Sequence, residues 1–203
     1  IYQNGAAFVA GFFDPVNQMS EAQASWYGRN SNEVEMIYID IWPATFKDAQ
    51  MTLTHEFLHL LMSNRDTEEE LWLEEGMAVY AQYDMGYNPE TIYLQQGKGS
   101  YFEDFYYYPN TSLTVFDNTL QDYAESYTFV VYLAERYGQD FVYDLFKSTD
   151  HGIESIMEVL ADRNINDTFE DIFTDYTIAI YADRIDFNEN WGFSSLNIGV
   201  NDD

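Results

Sequence analysis

Among the residues of this 203-residue chain, the run His55-Glu56-Phe57-Leu58-His59 has the types and spacing best suited to chemistry. If the run is helical, the two imidazoles stand at i and i+4, project from one face and can grip a single divalent ion. Glu56 is turned about 100° from His55, within reach of water at that ion but outside a ligand's place. The chain has three histidines, and two of them fall in this pattern.

Two imidazoles leave a catalytic zinc site short, because three protein ligands plus a water are usual. No third histidine follows at the H-E-x-x-H-x-x-G-x-x-H spacing; Asn64 and Arg65 stand where that motif would develop. Farther on, Leu71-Trp72-Leu73-Glu74-Glu75-Gly76-Met77-Ala78 offers two carboxylates. On a helix, Glu75 shares a face with Leu71, Trp72, Ala78 and Val79, whereas Glu74 follows Glu70 by one turn toward the polar side. A carboxylate on an apolar face is costly unless it is paired or bound to metal, so Glu75 is the expected third ligand. Gly76, in mid-helix, costs about 1 kcal/mol relative to alanine, and close approach to the first helix is the expected reason for it. The competing reading makes Glu70, Glu74 and Glu75 one solvated acidic face.

The elements that must position these groups follow from periodicity. Ala6 to Phe13 is a short apolar run closed by Asp14-Pro15, and Glu35 to Trp42 alternates with period two up to Pro43; both read as strands. Asp48 caps an expected helix over about 49–63 with Asn64 as its stop, and Thr67 with Glu70 forms a capping box for a second helix reaching about Tyr83. Residues 86–117 read as irregular, with the aromatic run Phe105 to Tyr108 inside them. Helices are expected at about 120–137, 140–147, 152–162 and 168–183, and the segment from Arg184 reads as an exit from the domain. The expected fold is therefore α+β in one domain, 1–203: a small mixed twisted sheet on the H-E-x-x-H helix over about 1–100, then a mainly helical subdomain over about 101–203.

Composition limits the partners. With 36 acidic and 8 basic side chains the net charge is −28, which repels nucleic acid, yet 46% of the residues are apolar and support a core. Apolar runs such as Phe129 to Ala134 fall far short of the roughly 20 residues that span a bilayer. Without cysteine there are no disulfides and no thiolate ligands, so His, Asp and Glu remain for a metal. The start at Ile1, with no basic-then-apolar leader, reads as a processed form or an excised domain.

H-E-x-x-H followed by W-L-x-E-G resembles the gluzincin zinc peptidases, which include thermolysin and the aminopeptidase N family. The blocks Gly11-Phe12-Phe13-Asp14, Ser31 to Asp40, Thr52-Leu53-Thr54-His55-Glu56 and Trp72-Leu73-Glu74-Glu75-Gly76 are similar to those of the hyicolysin-like bacterial peptidases, over about residues 8–138. The resemblance implies one catalytic zinc held by His55, His59 and Glu75, with Glu56 as general base. It implies a protein or peptide substrate lying along the strand around Ile37 to Ile41, and a secreted, bacterial setting. Where family members carry Asn before the ligand Glu, this chain has Glu74, which leaves an exchange of ligand roles open. Where thermolysin has an Asp that orients a histidine, this chain has Val79. The aminopeptidase signature G-x-M-E-N is missing upstream of His55, which favours cleavage within chains; an aminopeptidase and a catalytically silent binding module are the alternatives.

The tetrahedral intermediate also needs a donor. Tyr123-Ala124-Glu125-Ser126 resembles the aminopeptidase stretch Y-x-K-G, which makes Tyr123 the candidate, with Tyr127 second. His151 is read either as a further donor or as an ordinary capping histidine. Tyr101, Phe102 and Phe105 to Tyr108 line a pocket in one reading and fill the core in the other. Calcium is the second cation considered, at Asp117, Asp122, Asp167 or Asp171; none fits an EF-hand loop, and these acids read better as helix caps.

Overall fold

A computed structural model describes residues 10–42, 44–65, 68–87, 91–94, 97–100, 108 and 110–196. The chain divides into two compact units, Ile1–Thr67 with Ala78–Tyr101 and Glu68–Met77 with Phe102–Asp203. The second unit thus takes the first half of the segment 68–84 as well as the chain from residue 102 onward.

In the first unit, β1 (Gly11–Phe13) and β2 (Ile37–Ile39) form an antiparallel pair in which Gly11 faces Ile39 and Phe12 faces Tyr38. Phe12 and Tyr38 stack at 4.4 Å between ring centroids. Between the strands lie a 3₁₀ turn at Pro15–Gln18, the short helix α1 (Glu21–Ala24) and a second 3₁₀ turn at Ser25–Tyr27. Asn17, buried in this connection, accepts from the Asn32 side chain at 2.7 Å. Helix α2 (Phe46–Arg65) packs on both strands. It starts earlier than expected because Thr45, not Asp48, is the cap: Thr45 N donates to the Asp48 carboxylate (2.8 Å) and Asp48 N donates to Thr45 Oγ1 (3.3 Å).

Among the described residues there are two separate two-stranded antiparallel sheets, not one mixed sheet. The second joins β3 (Thr91–Leu94) to β4 (Gly97–Ser100), inside the stretch expected to be irregular. β2 is shorter than its alternating pattern because the Asp40 carboxylate accepts from Trp42 N at 2.9 Å, turning the chain out of the ladder and leaving Ile41 exposed.

Helix α3 (Leu71–Asp84) carries residues of both units. Its start differs from the expected capping box. Leu73 N and Glu74 N both donate to the Glu70 carbonyl, so Glu70 stands at the cap itself, and its carboxylate accepts from the Trp72 indole. Thr67 lies outside the described residues.

The second unit is built on α4 (Leu120–Tyr137), α5 (Gln139–Lys147), α6 (Ile153–Asp162) and α7 (Phe169–Ala182). All four agree with expectation to within a residue. Capping boxes at Thr119/Asp122 and Thr168/Asp171 start α4 and α7, and Gly138, at φ +90°, separates α4 from α5. Tyr127, Phe129, Tyr132, Phe141, Ile156 and Tyr176 fill its core.

The segment after Arg184 is not an exit. Phe193 and Leu196 are buried, Trp191 donates to Asp175, and the Glu135 carboxylate accepts from Ser194 N and Ser195 N at 2.7 and 2.8 Å. Arg136 joins the same face of the core to Asp167 (3.1 Å) and Asp175 (2.7 Å). No helix is long and apolar enough to cross a membrane among the described residues.

Candidate metal centre

The H-E-x-x-H run lies in the second half of α2, where helical spacing alone decides which way each side chain points. His55 and His59 share one half-buried face, with their Nε2 atoms 3.1 Å apart and their rings edge to face at 4.8 Å. Two nitrogens bound tetrahedrally at about 2.0–2.1 Å from one ion would stand about 3.3 Å apart, so the observed spacing suits a shared ion. Glu56, next in sequence, is buried and lies with Thr52 and Leu60 on one stripe of α2.

A carboxylate oxygen of Glu75 completes the group. It and one ring nitrogen from each of His55 and His59 all lie within 4.8 Å of one another, and together the three side chains could hold a metal ion. Two imidazoles and a carboxylate are donors suited to zinc and other first-row cations.

The route to Glu75 needs correction. Leu71, counted on the apolar face, is 56% exposed, while every residue from Gly76 to Tyr80 is buried. Glu74 and Glu75 are equally half-buried, so amphipathicity does not separate them. What singles out Glu75 is its place beside the imidazoles. Gly76 also serves another contact than the one expected. A Cβ there would lie 2.7 Å from the Ser126 carbonyl oxygen and 3.0 Å from Val130 Cγ2, so the close approach is between α3 and α4.

Tyr123 stands in the first turn of α4, where its hydroxyl donates to Asn118 Oδ1 at 3.0 Å and its ring meets Phe116 edge-on. Tyr127 is wholly buried. His151, just before α6, has Nε2 3.9 Å from a Glu68 carboxylate oxygen. Its neighbour Gly152, at φ +56°, donates its N–H to Glu69 at 2.7 Å, and burial raises the Glu69 pKa against the pull of that bond.

The acids considered for calcium have other partners. Asp122 and Asp171 cap helices, Asp167 accepts from Arg136 and Tyr137, and Asp117 donates its N–H to Asp122. Of the aromatic cluster, Tyr108 is exposed and the rest lies outside the described residues. Sequence reasoning missed the contact of Gly11 with α2; the one signal for it was an isolated glycine in a strand, which often marks close backbone approach. Compared with known proteins, the chain matches no family model and no curated protein sequence.

Proposed function

We propose that this chain is a zinc-dependent endopeptidase, a reading carried by the convergence of His55, His59 and Glu75 with Glu56 on the same helix as the imidazoles. Zinc, when bound there, supplies a Lewis acid that polarises a carbonyl and brings the pKa of water down to about 7. The chain's own residues do the rest. Glu56 takes a proton from the attacking water onto a carboxylate oxygen and delivers it to the leaving amine nitrogen. Tyr123 donates its hydroxyl to the developing oxyanion, giving up its hydrogen bond to Asn118 to do so. The substrate is a protein or peptide, and the likeness to the hyicolysin-like gluzincins, with their secreted bacterial setting, belongs to the same proposal. The missing G-x-M-E-N signature favours internal cleavage over an aminopeptidase.

A silent binding module would be expected to lack part of the set, whereas His55, Glu56, His59 and Glu75 are all present. The test is zinc quantitation together with chelator-sensitive cleavage of an unstructured protein, comparing parent with Glu56→Gln. About one zinc per chain is expected in both, with hydrolysis in the variant lowered by on the order of a thousandfold. A chain that binds no zinc, or a variant that cleaves like the parent, ends the proposal. Peptides with blocked and free N-termini separate endopeptidase from aminopeptidase.

A further inference from the structure

Helix α2 does not build the surroundings of Glu56 alone. Strand β1 crosses it at Gly11, where a Cβ would lie 2.6 Å from Thr52 Cγ2, 2.7 Å from the Tyr38 carbonyl oxygen and 3.4 Å from Glu56 Cγ. The first two distances are too short for any side chain, and the third is ordinary van der Waals contact. Gly11 is not among the residues with positive φ, so backbone conformation does not demand glycine there. Space does. Thr52 stands one turn before Glu56 on the same stripe, and both are buried, at 9% and 8% exposure. The strand is held at this height by the pairing of Gly11 with Ile39 and by Asp40 N donating to the Ala10 carbonyl at 2.7 Å.

We infer that Gly11 and Thr52 are positioning residues for Glu56. The bare backbone of β1, laid on the Thr52 methyl, walls one side of the Glu56 stem and limits the rotamers of its carboxylate. The inference rests on Glu56 serving as the base of the proposed peptidase. It assigns the size of residue 11 a control over turnover that is separate from control over metal binding, because neither residue is a ligand.

Three variants test it: Gly11→Ala, Thr52→Ser, which removes the contacting methyl, and Thr52→Val, which keeps it. Gly11→Ala should bind one zinc per chain with parental affinity by chelator competition and lose roughly ten- to a hundredfold in kcat, the scale of a small misplacement, with KM changed less than about threefold. Thr52→Ser should show the same split more weakly, and Thr52→Val should match the parent. A readout independent of turnover uses metal-free protein with ¹³C-labelled glutamate: the Glu56 methylene couplings should report one rotamer in the parent and in Thr52→Val, and averaging in the other two.

Parental kcat with a single Glu56 rotamer in Gly11→Ala overturns the inference and leaves the peptidase reading intact. Loss of zinc or of thermal stability together with kcat in both Gly11→Ala and Thr52→Ser also overturns it, since the contact would then serve folding alone. If Gly11→Ala does not fold, the comparison of Thr52→Ser with Thr52→Val decides. A parent that neither binds zinc nor cleaves removes the base and the inference with it.

Discussion

Glu56 and Glu125 are both buried carboxyl groups with different neighbours. Glu56 lies beneath a strand, next in sequence to His55. Glu125, in α4, accepts from the Tyr176 hydroxyl at 3.1 Å, and burial pushes its pKa up to about 7 against the pull of that bond. In the unfolded chain it would titrate near 4.5, so between these values the folded protein holds a proton that the unfolded chain has released. The stabilisation is therefore complete below about pH 4.5 and is lost as the pH rises through 7. Relative to Glu125→Gln, the parent should lose up to about 3 kcal/mol across that window, measured by urea unfolding at stepped pH. A parallel pair of curves would refute this. At the proposed zinc site, His55→Ala should weaken zinc binding more than the roughly 10–100-fold typical of losing a group that only orients a ligand. Chelator competition measures it, and Glu56→Gln should leave the affinity near that of the parent.

At the scale of elements, α3 and α4 approach each other closely at Gly76. The atom nearest a Cβ at residue 76 is a main-chain oxygen, Ser126 O, which cannot swing aside as a side chain can. Gly76→Ala should destabilise by about 1–3 kcal/mol, although alanine is the better helix former by about 1 kcal/mol. Urea unfolding gives the sign, and a stabilised variant would mean the joint is loose. The helices of the second unit were legible in the sequence because their signals are local: Thr119 and Thr168 each stand three residues before an Asp, and Gly138 punctuates. The histidine pair was legible for the same reason, since i and i+4 on a helix need no partner to be read. The partner of Gly76 was not, because which helix approaches a glycine is a tertiary fact. Strands of three residues are too short for alternation to bound them, and the Asx turn at Asp40 ended β2 inside a pattern that continued. The polar stretch after Arg184 concealed Trp191, Phe193 and Leu196, because the groups that hold this segment, Asp175 for Trp191 and Glu135 for Ser194 and Ser195, lie far upstream. Glu75 was reached through a face that the folded helix does not have. Its carboxylate nevertheless lies within 4.8 Å of the imidazole nitrogens, and a carboxylate among buried residues needs a compensating partner whatever the face.

For the molecule as a whole, a net charge of −28 is a standing repulsion that folding must overcome. Exposed like charges interact within a screening length of about 10 Å at 0.1 M salt, so sodium chloride should raise the midpoint of thermal unfolding steadily from about 0.01 to 0.5 M. A flat response in scanning calorimetry would show that local pairs such as Arg136 with Asp175 already balance the field. The same repulsion keeps opened chains apart, and here the burial of the middle of α3 has a consequence. Once melted, that helix releases Trp72, Leu73, Met77, Val79 and Tyr80 as one sticky ribbon broken only by Glu74 and Glu75. Salt that steadies the native chain will blunt the charge guarding that ribbon, so cooling after a melt should return more protein from dilute buffer than from brine.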